Sequence, residues 1–135
     1  NLDGSINTVY CHWDGYISNN GVILQTYYNT RESVAKLIAG GSISSLGRYI
    51  SDTPLDFDTR DDDYTKYYSY RGEITEIRYF KNFADYEENH QYEEYEYLFT
   101  KDNVWSVFNG NDWYDLEFII NEEKLKDPYS ETEAA

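Results

Sequence analysis

The sequence has one cysteine, Cys11, two prolines and no methionine among its 135 residues. A single cysteine excludes an intramolecular disulfide and the zinc sites that several cysteines build, and it suits a reducing compartment. No hydrophobic run approaches the roughly 18 residues that cross a membrane, and the first residues have no signal-peptide pattern. These absences predict a soluble protein of the cytoplasm that makes no membrane contact.

Basic residues are scarce, since 11 lysines and arginines stand against 26 aspartates and glutamates, for a formal charge of −15. The imbalance lies in one part of the chain: residues 1–50 hold 3 acids and 3 bases, so residues 51–135 hold the other 23 acids and 8 bases. A field of this sign repels nucleic-acid phosphates and anionic lipids, and it attracts basic protein surfaces. The charge therefore disfavours binding to nucleic acid or membrane and favours a basic protein partner.

Apolar residues are sufficient for one core, because 40% of the chain is hydrophobic and 19% is aromatic. The predicted elements are a strand at 5–12, helices at 22–29 and 30–41, a long loop at 51–73 with a strand near its end, a strand at 73–80, a helix at 82–90, a hairpin of 94–100 with 104–109, and a helix after residue 112. Thr30 and Asn82 are the expected N-caps of two of the helices. This order predicts an α+β fold with a single antiparallel sheet and helices packed mainly on one face. We expect a single domain over 1–135, with a neutral strand and helical hairpin in 1–50 and acidic strands and a C-terminal helix in 51–135.

The stretch YCHWDGY at residues 10–16 combines residue types that catalytic sites use. Cys11 and His12 are adjacent, and adjacent side chains of a strand point to opposite faces, so they cannot easily share one nucleophilic site. His12 and Asp14 would share a face, but only one other histidine is available to complete a zinc site. The stretch therefore predicts a strand end and a turn at Asp14 and Gly15. The alternative is a small-molecule or nucleotide pocket, or a minor enzyme, built from His12, Trp13, Asp14, Tyr16 and Arg71.

The acidic stretch DFDTRDDD at 56–63 resembles a calcium-binding loop only in its charge. The sixth position of such a loop, a glycine, is Asp61 here, and the twelfth, a glutamate, is Tyr67. Weak divalent binding by this stretch remains an alternative to a solvated acidic loop. Because no other motif indicates a metal, a cofactor or a reaction, we expect a protein that is not an enzyme.

Carboxylates alternate with tyrosines in ADYEENHQYEEYEYLF at 84–99. On a strand, Glu94 and Glu96 would share one face and Tyr95 and Tyr97 the other. Carboxylates spaced along strands and helices can imitate a row of phosphates, and tyrosines supply rigid contact area. The alternative is that the negative charge only keeps the protein soluble. The predicted binding residues are Asp61, Asp62, Asp63, Glu87, Glu88, Glu93, Glu94 and Glu96.

Several stretches also carry a resemblance: YCHWDGY with Gly21 after it, LQTYYNTRESVAKLIAGGSISSLG at 24–47, YRGE at 70–73, and the aromatic carboxyl-terminal part. They resemble a family of small phage- and prophage-encoded proteins whose first strand ends in YCHWDGY. The family usually has a segment like RDRGE where this chain has YSYRGE. The resemblance assigns no catalytic residues to this chain. The resemblance implies a phage-type accessory protein that binds and inhibits a basic host protein, such as a nucleic-acid-binding or defence factor. A self-assembling phage component, and hence a homo-oligomer, is a further alternative.

Overall fold

A computed structural model describes residues 1–59, 63–90 and 93–127. Within these ranges the helices are α1 (Val22–Tyr27), α2 (Arg31–Ala39), α3 (Phe83–Asn89) and α4 (Leu116–Glu123). The strands are β1 (Ile6–Thr8), β2 (Ile43–Ser45), β3 (Lys66–Tyr67), β4 (Arg78–Phe80), β5 (Glu96–Phe99), β6 (Trp105–Phe108) and β7 (Trp113–Asp115). A π-helical turn at Ile17–Gly21 leads into α1, and a 3₁₀ turn covers Tyr68–Arg71. The mixture confirms the predicted α+β class.

Local side-chain chemistry sets where the predicted helices begin. The Thr30 hydroxyl accepts a hydrogen bond from the Ser33 backbone N–H at 3.1 Å, and the Ser33 hydroxyl accepts one from the Thr30 N–H at 3.2 Å. The Asn82 side chain likewise accepts from the Asp85 N–H at 2.8 Å. Each cap satisfies a donor that the first helical turn leaves without a partner. Both predicted N-caps are confirmed.

The strands form three small antiparallel sheets, β1 with β4, β2 with β3, and β5–β6–β7, so the prediction of a single sheet is wrong. The predicted strand at 73–80 shows why. Its apolar residues fall on both faces, so burial of either face would leave apolar side chains of the other face in water. Only Arg78–Phe80 pairs with β1, while Ile74 is fully exposed and Ile77 is 43% exposed.

The predicted hairpin is confirmed, and it gains a third strand. Glu96 lies opposite Phe108 and Phe99 opposite Trp105, and β7 then adds to the other edge of β6. The helix expected after residue 112 is therefore preceded by a strand. It begins at Leu116, where the Asp115 carboxylate accepts a hydrogen bond from the Phe118 N–H at 2.9 Å.

Buried apolar side chains in the described ranges form two clusters. The main cluster joins α1, α2, β2, β6 and α4, and it is centred on residues such as Ile23, Leu37 and Val107. The small cluster joins β1, β4 and α3 through Ile6, Phe80 and Tyr86. The three-stranded sheet contributes to both clusters, since Val107 of β6 lies in the main cluster while Leu98 of β5 and Trp113 of β7 pack against the small one. No helix within the described ranges is long and apolar enough to cross a membrane.

Candidate functional site

Helix α3 and the residues before β5 expose the carboxylates of Glu87, Glu88, Glu93 and Glu94, which we call the acidic surface. The two segments meet because the Tyr86 hydroxyl of α3 donates a hydrogen bond to Glu96 of β5. Glu87 directly follows Tyr86 in the chain, and Glu94 precedes Glu96 by two residues. Helix α3 and the segment before β5 therefore adjoin at this contact.

Glu96 was predicted to belong to this surface, and the structure places it inside instead. Its exposed fraction is 7%, and the side chain is enclosed by α3. One carboxylate oxygen accepts from the Tyr86 hydroxyl. The His90 Nε2 atom lies 3.0 Å from the same carboxylate, and the His90 side chain is itself only 8% exposed. Burial of Glu96 is tolerated because both oxygens have partners.

The hydrogen bonds of His90 determine where its protons lie. The Nδ1 atom faces the backbone carbonyl of Tyr86, which can only accept, so Nδ1 carries a proton. One further proton must lie between Nε2 and the Glu96 carboxylate, since two lone pairs would otherwise face each other. The rings of Tyr86 and His90 stack with centroids 4.1 Å apart. Burial and the adjacent carboxylate both raise the pKa of Tyr86.

Two carboxylates of the acidic loop, Asp56 and Asp63, have partners within the fold. Asp63 is half-buried and forms an ion pair with Arg48 at 3.2 Å. The Asp56 carboxylate accepts hydrogen bonds from the Asp58 N–H and the Thr59 hydroxyl, which lower its pKa. Asp61 and Asp62 lie outside the described residues. Across the described ranges, no three histidine, cysteine or acidic side chains converge as metal ligands would.

Residues 10–16 anchor the chain to β2. The Ile43 N–H donates to the Tyr10 carbonyl at 2.7 Å, and the His12 N–H donates to the Ile43 carbonyl at 2.9 Å. Asp14 has a φ of 58°, in the left-handed region that aspartate tolerates in turns. The strand predicted over 5–12 is therefore too long, because β1 ends at Thr8 and Cys11 forms only an isolated bridge with Ile43. Bends at Trp13 and Tyr16 flank the predicted turn residues Asp14 and Gly15.

The side chains proposed for an alternative pocket do not converge. His12, Trp13, Asp14 and Tyr16 are exposed, and their contacts are mostly with one another. Arg71 forms an ion pair with Glu73, and its guanidinium lies over the rings of Phe57 and Tyr68.

Cys11 differs from its exposed neighbours. Its thiol lies 3.5 Å from the Asn20 side-chain amide and 3.8 Å from the Trp13 carbonyl. Burial, with a smaller effect of the nearby Asp14 charge, raises the pKa of the Cys11 thiol to about 11. A thiol that is protonated at neutral pH is a poor nucleophile.

A cavity of about 1450 Å³ occupies the space between the two apolar clusters. Its walls include Leu37 and Trp105 from the main cluster and Ile6 from the small one. Glu96 and His90 also line it. Sequence reasoning missed this cavity because it arises from the arrangement of distant segments and no local pattern marks it.

No protein-family model matches the sequence, and no curated protein or solved structure matches it. A fold class alone does not define a function, so the acidic surface is the feature from which a function is argued.

Proposed function

We propose that this protein binds a basic protein partner through the acidic surface and thereby competes with nucleic acid for that partner. The observation that carries the proposal is the charge of residues 82–100, which hold six carboxylates and no lysine or arginine. The exposed members, Glu87, Glu88, Glu93 and Glu94, project from a helix and from the start of a strand that are joined by a buried hydrogen bond. The proposed role is binding without catalysis.

Ion pairing elsewhere in the molecule supports this choice of surface. Lys36 pairs with Asp52, Arg48 with Asp63, and Arg71 with Glu73. These three pairs lie on segments other than α3. Beside α3, the charge of Lys81 acts on Asp85, and Arg78 donates to the Asn89 carbonyl at 3.3 Å, so the proposed contact is centred on the exposed glutamates rather than on these two ends of the helix.

Packing extends the negative region beyond α3. The ring of Phe83 contacts the ring of Trp113 in β7, with centroids 5.7 Å apart. Residues 112–123, which follow that contact, contain Asp112, Asp115, Glu117, Glu122 and Glu123 and no lysine or arginine. Asp112, which is exposed and precedes Trp113, is the member of this group that lies next to the contact with α3.

The physical basis of the proposed binding is the same as that of phosphate recognition. A groove that binds nucleic acid places lysines and arginines against the phosphates, and cations that had accumulated around the phosphates are released. Carboxylates held close together on a folded surface attract the same lysines and arginines, and salt screens that attraction. Binding should therefore weaken steeply as salt increases.

The test compares two variants of equal charge in affinity capture from a lysate of the host cell. One variant carries Glu87→Gln, Glu88→Gln, Glu93→Gln and Glu94→Gln. The control carries Glu32→Gln, Asp52→Asn, Glu76→Gln and Asp102→Asn, at exposed positions outside the acidic surface. Each variant loses four negative charges, so the formal charge changes from −15 to −11 in both.

We expect the wild type and the control to retain a nucleic-acid-binding protein that salt or duplex DNA releases, and the first variant to lose it. Equal retention by the two variants would contradict the proposal, because total charge rather than the acidic surface would then explain the binding. Retention that resists both salt and duplex DNA would contradict it as well.

A further inference from the structure

We propose that the free edge of β4 pairs with the same edge of a second copy of this chain, so that residues 73–81 of the two copies form an antiparallel interface. The segment lies outside the acidic surface. The inference therefore goes beyond the proposed function, and its test needs no partner protein.

Strand β4 has an edge that no other strand covers. Within the described ranges it pairs only with β1, in a sheet of two strands with three residues each. A two-stranded sheet is marginally stable in water, and an exposed edge presents backbone N–H and C=O groups to which another strand can bind. Pairing with a second copy would give a four-stranded sheet in the order β1–β4–β4–β1.

The residues before β4 also offer their backbone to a partner. The chain leaves β1 after Thr8, and the Tyr10 carbonyl accepts a hydrogen bond from the Ile43 N–H of β2 instead. Among the described residues, the backbone groups of 74–77 form no hydrogen bond. The Ser42 N–H donates to the Thr75 hydroxyl at 2.9 Å, which holds the segment against the fold. A strand from a second copy could therefore extend β4 backwards over 73–77, where the sequence predicts a strand.

Exposed apolar side chains accompany the free backbone. Ile74 is fully exposed, Ile77 is 43% exposed and Tyr79 is 62% exposed. Contact with a second copy would remove part of this apolar surface from water, which favours association.

The local charge permits two copies to approach here. Residues 73–81 hold two acids, Glu73 and Glu76, and two bases, Arg78 and Lys81, so the segment has no net formal charge. Each copy as a whole carries −15, and two copies repel each other at most other contacts. The repulsion is smallest where the facing segments are neutral.

A two-fold axis through Ile77 matches the segment with itself. In a symmetric antiparallel pair, residues at equal distances before and after the axis lie opposite each other in the two copies. Ile77 then faces Ile77, and Glu76 faces Arg78. The outer pairs are Thr75 with Tyr79, Ile74 with Phe80, and Glu73 with Lys81. Opposite charges, and aromatic with β-branched side chains, are the cross-strand pairs that stabilise antiparallel strands.

The neighbouring symmetric registers lack this match. An axis through Glu76 places two glutamates opposite each other, and an axis through Arg78 does the same for two arginines. An axis through Thr75 places Glu73 opposite Ile77. Because like charges directly opposite each other are destabilising, the sequence favours the axis through Ile77.

The central charges are available for a contact between copies. Glu76 is exposed and forms no ion pair within the described ranges. Arg78 is exposed, donates to the Asn89 carbonyl at 3.3 Å and lies over the Phe80 ring. A guanidinium has five N–H donors, so Arg78 can also donate to a carboxylate of the second copy.

The outer charges contribute less to the proposed interface. Glu73 already forms an ion pair with Arg71, and the charge of Lys81 acts on Asp85. The tests therefore use the axis residue and the central pair.

The first experiment measures association of the purified chain by sedimentation equilibrium at protein concentrations up to about 1 mM. The buffer contains about 0.15 M salt, because a Debye length of about 8 Å limits the repulsion between copies. We expect an equilibrium between monomer and dimer. Ile77→Asp places two carboxylates on the axis and should raise the dimer dissociation constant at least about tenfold.

The control for this variant is Val104→Asp, because Val104 is 41% exposed and lies outside the segment. It should leave the dissociation constant unchanged. A wild type that stays monomeric at every concentration, or equal effects of the two substitutions, would overturn the proposal.

The second experiment exchanges the central charges. Glu76→Arg places two pairs of arginines opposite each other, and Arg78→Glu does the same with glutamates, so each variant alone should be monomeric where the wild type is a dimer. An equimolar mixture should form a heterodimer, because every residue 76 then faces an opposite charge at position 78. The double variant, with both substitutions in one chain, should dimerise like the wild type. A mixture of folded variants that associates no better than its components would overturn the proposed register.

The third experiment locates the interface in the unsubstituted chain, so it does not depend on whether a variant folds. Hydrogen exchange of amides within 74–79 should slow as the protein concentration rises, and exchange at Glu87 and Glu88 in the acidic surface should not change. A dimer that protects other segments and leaves 74–79 unprotected would contradict the proposal.

Discussion

Truncation of Glu96 is expected to destabilise the protein far more than truncation of its neighbour Glu94. Glu96→Ala removes the acceptor for the Tyr86 hydroxyl and the partner of His90, both of which are buried. Breaking a buried charged pair by removal of one partner typically costs about 3–5 kcal/mol. Glu94→Ala, at an exposed position, should change the free energy of unfolding by no more than about 0.5 kcal/mol.

Glutamine at position 96 separates loss of charge from loss of hydrogen bonding. Its amide oxygen can accept from Tyr86, and its amide N–H can donate to Nε2 of a His90 that keeps its proton on Nδ1. The Glu96→Gln variant should therefore recover most of the stability, to within about 1.5 kcal/mol of the wild type.

Urea denaturation followed by tryptophan fluorescence and circular dichroism would measure these differences. A free energy of unfolding for Glu96→Ala that lies within about 0.5 kcal/mol of the Glu94→Ala value would refute the reasoning. Glutamine that is no better than alanine would refute the hydrogen-bond part of it. Comparison of m-values from the two probes would show whether the variants unfold in one step.

Three further predictions concern alkaline stability, thiol reactivity and glycine packing. Burial raises the pKa of several phenols in the folded chain, and it does so most strongly for Tyr67, Tyr86 and Tyr97. Stability should therefore be full below about pH 10 and should fall above it by about 1.4 kcal/mol per pH unit for each of these three, as measured by urea denaturation at several pH values. Burial that raises the pKa of Cys11 to about 11 should make its alkylation at pH 8 many times slower than in the urea-unfolded chain, and equal rates would contradict the burial. Gly47→Ala places a methyl group against the backbone of Asp63 and Tyr64 and should lower the free energy of unfolding by about 1–3 kcal/mol. Gly15→Ala meets no atom within 4 Å, so in thermal melts it should behave like the wild type.

Features that depend on adjacent residues could be predicted from the sequence. The caps at Thr30 and Asn82 are local, because each side chain bonds a backbone N–H three residues along the chain. The hairpin of β5 and β6 is local as well, since a short turn joins strands whose residues pair in register. These interactions do not depend on the rest of the fold.

Features that depend on distant segments could not be predicted. Strand alternation predicts that Glu94 and Glu96 share one face, but β5 begins at Glu96 and Glu94 before it is exposed, so alternation does not decide which of the two side chains turns inward. That choice depends on Tyr86 and His90, whose hydrogen bonds make a buried carboxylate acceptable. The pairing of β1 with β4, and hence the cavity beside them, likewise depends on contacts between segments about 70 residues apart.

The most direct test of the proposed function is the affinity for the captured partner, measured by calorimetry over a series of salt concentrations. The affinity of the wild type and of the Glu32, Asp52, Glu76 and Asp102 control should fall steeply and in parallel on a logarithmic plot against salt. The variant without the charges of Glu87, Glu88, Glu93 and Glu94 should bind more weakly and with a shallower slope. Identical slopes for the three proteins, or an affinity that does not change with salt, would contradict a role for the acidic surface.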